Sequence, residues 1–217
     1  MGSSAETVAM ALGDAEVSGD LFIPTGARGL VMFAHGSGSS RHSPRNQAVA
    51  AHLNRAGFAT LLLDLLTEAE EARDAWTAEL RFDIDLLTRR LVDAVDWLPQ
   101  RPLVEGLPLG LFGASTGAAG ALRAAAERPD LIRAVVSRGG RPDLATDALA
   151  RVSAPVLLIV GGHDELVLGM NREAAERLHA PHKVAVVPGA THLFEEPGAL
   201  EQVSALAAEW FQRYLRR

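Results

Sequence analysis

Residues 113–117 read Gly-Ala-Ser-Thr-Gly and place a single serine between two glycines, after the apolar run LGLF and before an alanine-rich segment. This G-x-S-x-G pattern is typical of a sharp turn from a strand into a helix, with the serine hydroxyl exposed at its tip. Gly113 and Gly117 would remove side chains that obstruct a strained backbone at Ser115. The pattern predicts a nucleophile at Ser115; a tight connection without chemistry is the alternative.

A serine hydroxyl is a weak nucleophile, so it needs an imidazole to accept its proton and a carboxylate to orient that imidazole. Asp164 follows the apolar run PVLLIV, and His192 follows VAVVP. Parallel sheets build their sites at the carboxyl ends of their strands. Taken singly, Asp164 is also typical of a helix N-cap and His192 of a surface loop. Their joint occurrence after Ser115, each at a strand end, predicts a catalytic triad.

Two main-chain N–H groups are candidates for an oxyanion hole. Thr116 opens the predicted helix, where the helix dipole favours negative charge. The loop HGSGSS at 35–40 interrupts a strand and presents N–H groups beside the nucleophile, with Ser37 as the second donor. A flexible connection or a phosphate-binding loop is the alternative, although G-x-G-x-x-G and a Walker lysine are absent. His35 and His42 flank this loop and are expected to orient it.

Other charged residues allow two interpretations. Arg41, in the same loop, and Arg138, after the run AVVS, are predicted either to bind an anionic group of a substrate or to pair with carboxylates. His179 and His182 have Pro181 between them, which disfavours a metal site on one helix face. We therefore expect no metal and no organic cofactor.

The elements that must position these residues alternate between strand-like and helix-like segments. Two strands within residues 6–23, joined at a Gly-Asp turn, are predicted to pair at a sheet edge. Six more strands are predicted at GLVMFAH, FATLLLDL, LGLFGA, IRAVVS, PVLLIVG and KVAVVP. Helices are predicted at 44–56, 78–97, 116–127, 141–150, 169–179 and 198–215. The alternation predicts one α/β domain over residues 1–217, with a mostly parallel sheet of about eight strands and helices on both faces.

Composition excludes several classes of function. The net charge of -6 disfavours nucleic acid as a partner, and the absence of cysteine excludes disulfides and a cysteine nucleophile. The N-terminal residues lack the pattern of a signal peptide, and the apolar runs are too short to span a membrane. A cytoplasmic protein without a membrane partner is expected. The acidic segment 66–76, which ends at Trp76, is interpreted as a solvated helix or loop, and its contribution to function stays open.

Four motifs together resemble the α/β-hydrolase superfamily, and within it the small dienelactone hydrolase-like proteins: HGSGSS at 35–40, GASTG at 113–117, GGHDELV at 161–167 and GATHLF at 189–194. The resemblance covers nearly the whole chain. Dienelactone hydrolases proper are known for a cysteine nucleophile, whereas this chain has Ser115, so the resemblance implies ester hydrolysis by serine. The stretch between Ser137 and Asp164 is too short for a cap domain.

An open cleft without a cap favours small or short-chain acyl esters, because little apolar surface covers a long chain. The sequence therefore predicts a serine carboxylesterase whose partner is a small-molecule ester. An amide or peptide hydrolase and an acyltransferase would use the same triad. A ligand-binding or signalling module with slow turnover is a further alternative, and the oligomeric state stays open.

Overall fold

The computed structural model describes residues 4–216, which form an eight-stranded sheet. Its strands, in chain order, are β1 (Ser4–Leu12), β2 (Ala15–Ile23), β3 (Leu30–Ala34), β4 (Ala59–Leu63), β5 (Leu109–Ala114), β6 (Ile132–Arg138), β7 (Val156–Gly161) and β8 (His182–Val187). The order across the sheet is β1-β2-β4-β3-β5-β6-β7-β8. The β1–β2 and β2–β4 pairs are antiparallel, and the remaining pairs are parallel. The predicted fold class is confirmed.

Six α-helices connect or follow these strands: α1 (Pro44–Arg55), α2 (Glu68–Thr77), α3 (Ile84–Trp97), α4 (Thr116–Glu127), α5 (Glu165–Arg177) and α6 (Ala199–Tyr214). Short 3-10 segments lie at Leu80–Phe82, Leu98–Gln100, Pro102–Val104 and Pro142–Arg151. The helix predicted over 78–97 is wrong at its start. Asp83 caps α3 by accepting a hydrogen bond from the N–H of Leu86 at 2.9 Å, which separates this helix from the preceding turn.

Helices cover both faces of the sheet, as predicted. One face packs against α3, α4 and α5, and the apolar stripe of α3 lies there, with Leu91 and Val95 fully buried. The other face packs against α1 and α6 and includes the rings of Phe33 and Phe112, which are tilted at 35° to each other with centroids 4.9 Å apart. Burial on both sides explains why β3 to β7 read as continuous apolar runs instead of alternating ones.

Parallel pairing brings the carboxyl ends of β3, β5, β6, β7 and β8 to one edge of the sheet. Every residue of the predicted site follows one of these strands, except Arg138, which is the last residue of β6. Between β6 and β7 the chain forms only the 3-10 segment Pro142–Arg151, so no cap is inserted there. Among residues 4–216, no helix is both long and apolar enough to cross a membrane.

Candidate active site

Ser115 connects β5 to α4 in a strained backbone conformation, with φ 48° and ψ -121°. Residues other than glycine rarely adopt a positive φ, and such strain costs about 1–3 kcal/mol. Hydrogen bonds hold the turn: the N–H of Ser115 donates to the carbonyl of Arg138 at 3.2 Å, and its own carbonyl accepts from the N–H groups of Ala118 and Arg141 at 3.1 Å each. The structure thus contains the strained turn that the motif predicts.

The two flanking glycines allow close backbone approach. A Cβ atom on Gly113 would lie 2.4 Å from Cα of Ala118, inside the helix that the turn begins. A Cβ atom on Gly117 would lie 2.4 Å from the carbonyl oxygens of both Ala34 and His35. The glycines therefore let α4 pack directly on the end of β3, which brings the nucleophile turn against the 35–40 loop.

We expect the substitution Gly117→Ala to lower the free energy of unfolding by about 2–3 kcal/mol, because neither carbonyl can move away from the new methyl group without displacing β3. Gly169→Ala is the matched control. Gly169 lies inside α5 with nothing within 4 Å of the added Cβ atom, so alanine should stabilise the helix by about 0.5–1 kcal/mol. Urea unfolding measures both, and equal midpoints for the two variants would contradict this interpretation.

The candidate base and acid are in contact. Nδ1 of His192 lies 2.6 Å from Oδ2 of Asp164. Nδ1–H donates to the carboxylate in this arrangement, which leaves Nε2 free to accept a proton. Asp164 precedes α5, but its side chain makes no capping hydrogen bond. The carboxylate therefore orients the imidazole and does not cap the helix, which disfavours the alternative interpretation.

The loops that carry these two residues are held together by their backbones. The N–H of His163 donates to the carbonyl of Ala190 at 2.9 Å. Gly161 lies so close to this loop that a Cβ atom would be 2.4 Å from the same carbonyl. A larger residue at the end of β7 would separate Asp164 from His192, whereas the sequence alone predicts Gly161 only as the last residue of the strand PVLLIVG.

The backbone of residues 138–139 lies close to both Ser115 and His192. Ser115 donates its N–H to Arg138, and a Cβ atom on Gly139 would lie 3.5 Å from Cε1 of His192. In the described part of the chain, Ser115 Oγ makes no hydrogen bond with His192. Contacts between nucleophile and base are often long until a substrate is bound. The structure thus places the three candidate residues at one edge and joins two of them directly.

The 35–40 loop lies against the nucleophile turn. Ser37 Oγ and Thr116 Oγ1 are 2.9 Å apart, and a Cβ atom on Gly36 would lie 3.0 Å from Cβ of Ser115. As the first residue of α4, Thr116 has an N–H without an intrahelical acceptor. The two candidate oxyanion donors therefore belong to adjoining backbone segments beside the serine.

His35 anchors this loop, as predicted. Its Nδ1–H donates to the carbonyl of Gly36 at 3.0 Å, and its Nε2 accepts from the N–H of Leu65 at 3.0 Å. Burial lowers the pKa of His35, so the ring stays neutral and able to accept. His42 differs, because its side chain is exposed and only its main-chain N–H takes part in the loop, where it donates to Ser40 Oγ at 3.2 Å.

Arg41 pairs with carboxylates. Its guanidinium binds Asp64 through Nη1 and lies 3.4 Å from Asp20 Oδ2 through Nε. Its main-chain N–H also donates to Asp64 Oδ1 at 2.8 Å. Of the two interpretations that the sequence left open for Arg41, the structure supports the ion pair, which fixes the end of the 35–40 loop to β2 and to the residue after β4.

Arg138 has no such partner. Only 8% of its surface is exposed, and no ion pair or side-chain hydrogen bond of Arg138 occurs within residues 4–216. Burial, with a smaller contribution from the charge of Arg45, lowers the pKa of Arg138 to about 10. The guanidinium therefore remains positively charged at neutral pH without a compensating carboxylate.

Asp74 and Arg81 border the site but were not predicted from the sequence. Asp74 is buried in α2 and accepts hydrogen bonds from Nε of Arg81 at 2.6 Å and from the N–H of Leu80 at 2.7 Å. This fixed turn aims the carbonyl of Arg81 at Ser37 Oγ, which donates to it at 3.3 Å. Nothing in the acidic stretch distinguishes Asp74 from its exposed neighbours. The capping box of Thr67, by contrast, is a readable signal for the start of α2.

A cavity of about 410 Å³ lies between the 35–40 loop and the segment from α2 to Arg81. Glu71, Asp74, Ala75 and Arg81 form one wall, and Ser37 belongs to the other. The acidic segment therefore borders the site and is not merely a solvated surface. Trp76 itself is 90% exposed. Within the described residues, no group of three or more His, Cys, Asp or Glu side chains is placed to hold a metal ion.

A sheet of this order, with a serine turn after β5, an acid after β7 and a histidine after β8, is the architecture of the α/β-hydrolases. The family model described as the Dienelactone hydrolase family matches residues 17–216. The chain belongs to the dienelactone hydrolase family.

Individual proteins similar to this chain carry different names. Two curated relatives from strains of Mycobacterium tuberculosis, each named as a phosphoribosyl transferase, are 56% identical over 210 residues, covering 97% of this chain and 46% of each relative. The chain thus spans about half the length of these relatives. A dienelactone hydrolase structure from Anabaena variabilis is 56% identical, with a TM-score of 0.97 and full coverage of both chains. Est1E from Butyrivibrio proteoclasticus shares the fold at 18% identity, with a TM-score of 0.81 over 97% of this chain and 98% of that one.

Proposed function

We propose that this protein is a serine carboxylesterase that hydrolyses small or short-chain acyl esters through an acyl-enzyme. The observation that carries the proposal is the 2.6 Å hydrogen bond between His192 and Asp164, at the same sheet edge as the strained Ser115. Membership of a hydrolase family agrees with it. The serine in the motif, where dienelactone hydrolases proper use cysteine, favours ordinary esters as substrates.

The proposed reaction has two halves. Ser115 Oγ attacks the ester carbonyl while Nε2 of His192 accepts its proton, and the N–H groups of Ser37 and Thr116 donate to the oxyanion. The C–O bond to the alcohol then breaks, and His192 returns the proton to the departing oxygen. A water molecule, deprotonated by His192, then attacks the acyl-enzyme, the bond from the acyl carbon to Ser115 Oγ breaks, and His192 returns the proton to Oγ as the acid leaves. Asp164 stabilises the imidazolium in both halves.

The cavity beside Ser37 favours short chains. Among its lining residues, the apolar side chains are Leu66, Ala75 and Leu87, and the others are glycine, serine, histidine or charged residues. Burial of apolar surface contributes about 25 cal/mol per Å², so a long acyl chain gains binding energy only where apolar side chains cover it. The lining of this cavity offers little apolar surface to cover a long acyl chain.

Hydrolysis of p-nitrophenyl esters from acetate to palmitate tests the proposal. We expect kcat/KM to be highest between acetate and butyrate and to fall by about tenfold or more towards palmitate, a difference of about 1.4 kcal/mol in transition-state binding. The assay uses soluble substrate concentrations and compares wild type with Ser115→Ala. A maximum at palmitate would contradict the short-chain assignment, and absence of turnover in folded wild type would favour a binding role.

The same triad also serves amide hydrolysis and acyl transfer. Comparing p-nitrophenyl butyrate with butyranilide, and measuring product ratios with an added alcohol as acyl acceptor, separates these reactions from ester hydrolysis. Phosphoribosyl transfer is not proposed for this chain, because that name belongs to relatives of which the match covers 46%.

A further inference from the structure

Arg138 is buried, charged and without a partner among residues 4–216. It pairs in the sheet with Ala114, the residue before the nucleophile Ser115. Its Nη1 atom is fully buried without a hydrogen-bond partner, and only 8% of the residue is exposed. Leaving a charged group buried and unpaired is strongly unfavourable in a folded protein. The role of Arg138 at this place therefore calls for an anion that none of the residues 4–216 supplies.

The side chain of Arg138 points to the face of the sheet that α1 covers. Val136 belongs to the core on that face, and side chains two residues apart on a strand point the same way. Arg45 lies in the first turn of α1 and is close enough for its charge to lower the pKa of Arg138. The guanidinium groups of Arg138 and Arg45 therefore lie near each other and near the N-terminus of α1, which carries the positive end of the helix dipole.

The acidic side chains of the neighbouring loop form no ion pair with Arg138. Glu195 lies 3.2 Å from Nη1 of Arg45 but is 65% exposed. Oε1 of Glu196 accepts from the hydroxyl and the N–H of Thr191 at 2.6 and 3.0 Å. Within the described chain, one exposed carboxylate therefore opposes two cationic side chains and a helix N-terminus.

The cationic group lies on the opposite side of Ser115 from the cavity. In the sheet, β5 carries Ser115 and lies between β3, which leads to the 35–40 loop, and β6, which ends at Arg138. Ala114 and Arg138 are direct partners in the sheet register. An ester bound at Ser115 would therefore have the cavity on one side and the strand that ends at Arg138 on the other.

We propose that Arg138, with Arg45, binds a phosphate group of the substrate, so that the enzyme acts on esters carrying a phosphomonoester on one half. Glu195 offsets one of the two positive charges, so the choice of phosphate depends on its acceptor atoms: three phosphate oxygens can accept hydrogen bonds from both guanidinium groups at once, whereas a carboxylate has only two oxygens. Arginine also donates two parallel hydrogen bonds to phosphate oxygens. This assignment names the substrate class of the carboxylesterase proposed above and rests on that proposed function.

The first test measures binding without turnover. Inorganic phosphate is titrated at neutral pH and constant ionic strength, and the Tm of wild type, Arg138→Met and Arg133→Met is followed. Arg133 is the matched control, because it lies exposed on the same strand and its loss changes the net charge equally. We expect phosphate to raise the Tm of wild type and Arg133→Met alike, and Arg138→Met to require about tenfold or more phosphate for the same shift.

The Arg138→Met variant should fold at least as stably as wild type in the absence of phosphate, because methionine removes an unpaired buried charge at similar length. Arg138→Lys provides a second variant that keeps the charge but loses the bidentate geometry, and we expect intermediate phosphate binding. Equal phosphate shifts in wild type and Arg138→Met would overturn the proposal. An Arg138-dependent shift of the same size with acetate would overturn the choice of phosphate.

Catalysis gives the second test and separates the two proposals. Phosphate should compete with p-nitrophenyl butyrate in wild type, raising KM without changing kcat, and the inhibition constant should rise by about tenfold or more in Arg138→Met. Ester turnover without Arg138-dependent phosphate binding would refute the phosphate site and leave the esterase standing. Phosphate binding without ester turnover would refute the esterase and leave the site standing.

Discussion

Replacing Ser115 with alanine is expected to lower kcat for p-nitrophenyl butyrate by about 10⁴-fold or more, with the protein still folded. Alanine lacks the oxygen that forms the acyl-enzyme, while the oxyanion donors and the His192–Asp164 pair remain in place. The main-chain bonds that hold the turn do not involve the hydroxyl, because they join the N–H and carbonyl of Ser115 to Arg138, Ala118 and Arg141. The loss should therefore appear in kcat and not in the far-UV circular dichroism spectrum.

Ser115→Gly distinguishes the chemical role of Ser115 from a structural one. Glycine also lacks the hydroxyl but adopts the φ of 48° without strain, so we expect equal loss of activity together with a gain of about 1 kcal/mol in the free energy of unfolding. Urea unfolding of the alanine and glycine variants measures this difference. Retention of near-wild-type turnover by either variant would refute the nucleophile assignment. Labelling by a fluorophosphonate at a residue other than Ser115 would do the same.

The parts of the site that the sequence predicts are those with a local cause. Ser115 is recognisable because an apolar strand, two glycines and an alanine-rich helix follow each other within a few residues. Asp164 and His192 are recognisable because each follows a buried strand, and parallel pairing sends all such positions to one edge. The start of the helix predicted over 78–97 was wrong although its cause is also local, since the cap at Asp83 interrupts an otherwise continuous helical pattern.

What the sequence does not show depends on residues far apart in the chain. Arg41 contacts Asp64, which is 23 positions away, and Ser37 contacts the carbonyl of Arg81. Whether an arginine meets a carboxylate is decided by such packing and not by its neighbours in the sequence. The sequence allowed the same two interpretations for Arg41 and Arg138. In the structure they differ, since Arg41 is paired with a carboxylate and Arg138 is not.

Replacing Asp164 with asparagine is expected to lower kcat by about 10⁴-fold with little change in KM. Asparagine is nearly isosteric, but its amide cannot stabilise the imidazolium that forms when Ser115 gives up its proton. It also allows the imidazole to carry its proton on Nε2, which prevents that atom from accepting the serine proton. The 2.6 Å contact with Nδ1 of His192 is thus predicted to act through charge and tautomer and not through packing.

Asp147→Asn is the matched control for Asp164→Asn, because Asp147 has a fully exposed side chain and a surface ion pair with Arg177 at 3.3 Å. Such exposed pairs contribute little, so this variant should keep wild-type kcat and stability. Fluorophosphonate labelling separates the remaining explanations. In the folded Asp164→Asn variant, fluorophosphonate should label Ser115 at a strongly reduced rate. The serine is present, but Nε2 of His192 carries a proton and does not accept the proton of the serine hydroxyl. A labelling rate and kcat equal to those of Asp147→Asn would show that the carboxylate caps or packs only, and His192 would then have to be oriented by other groups.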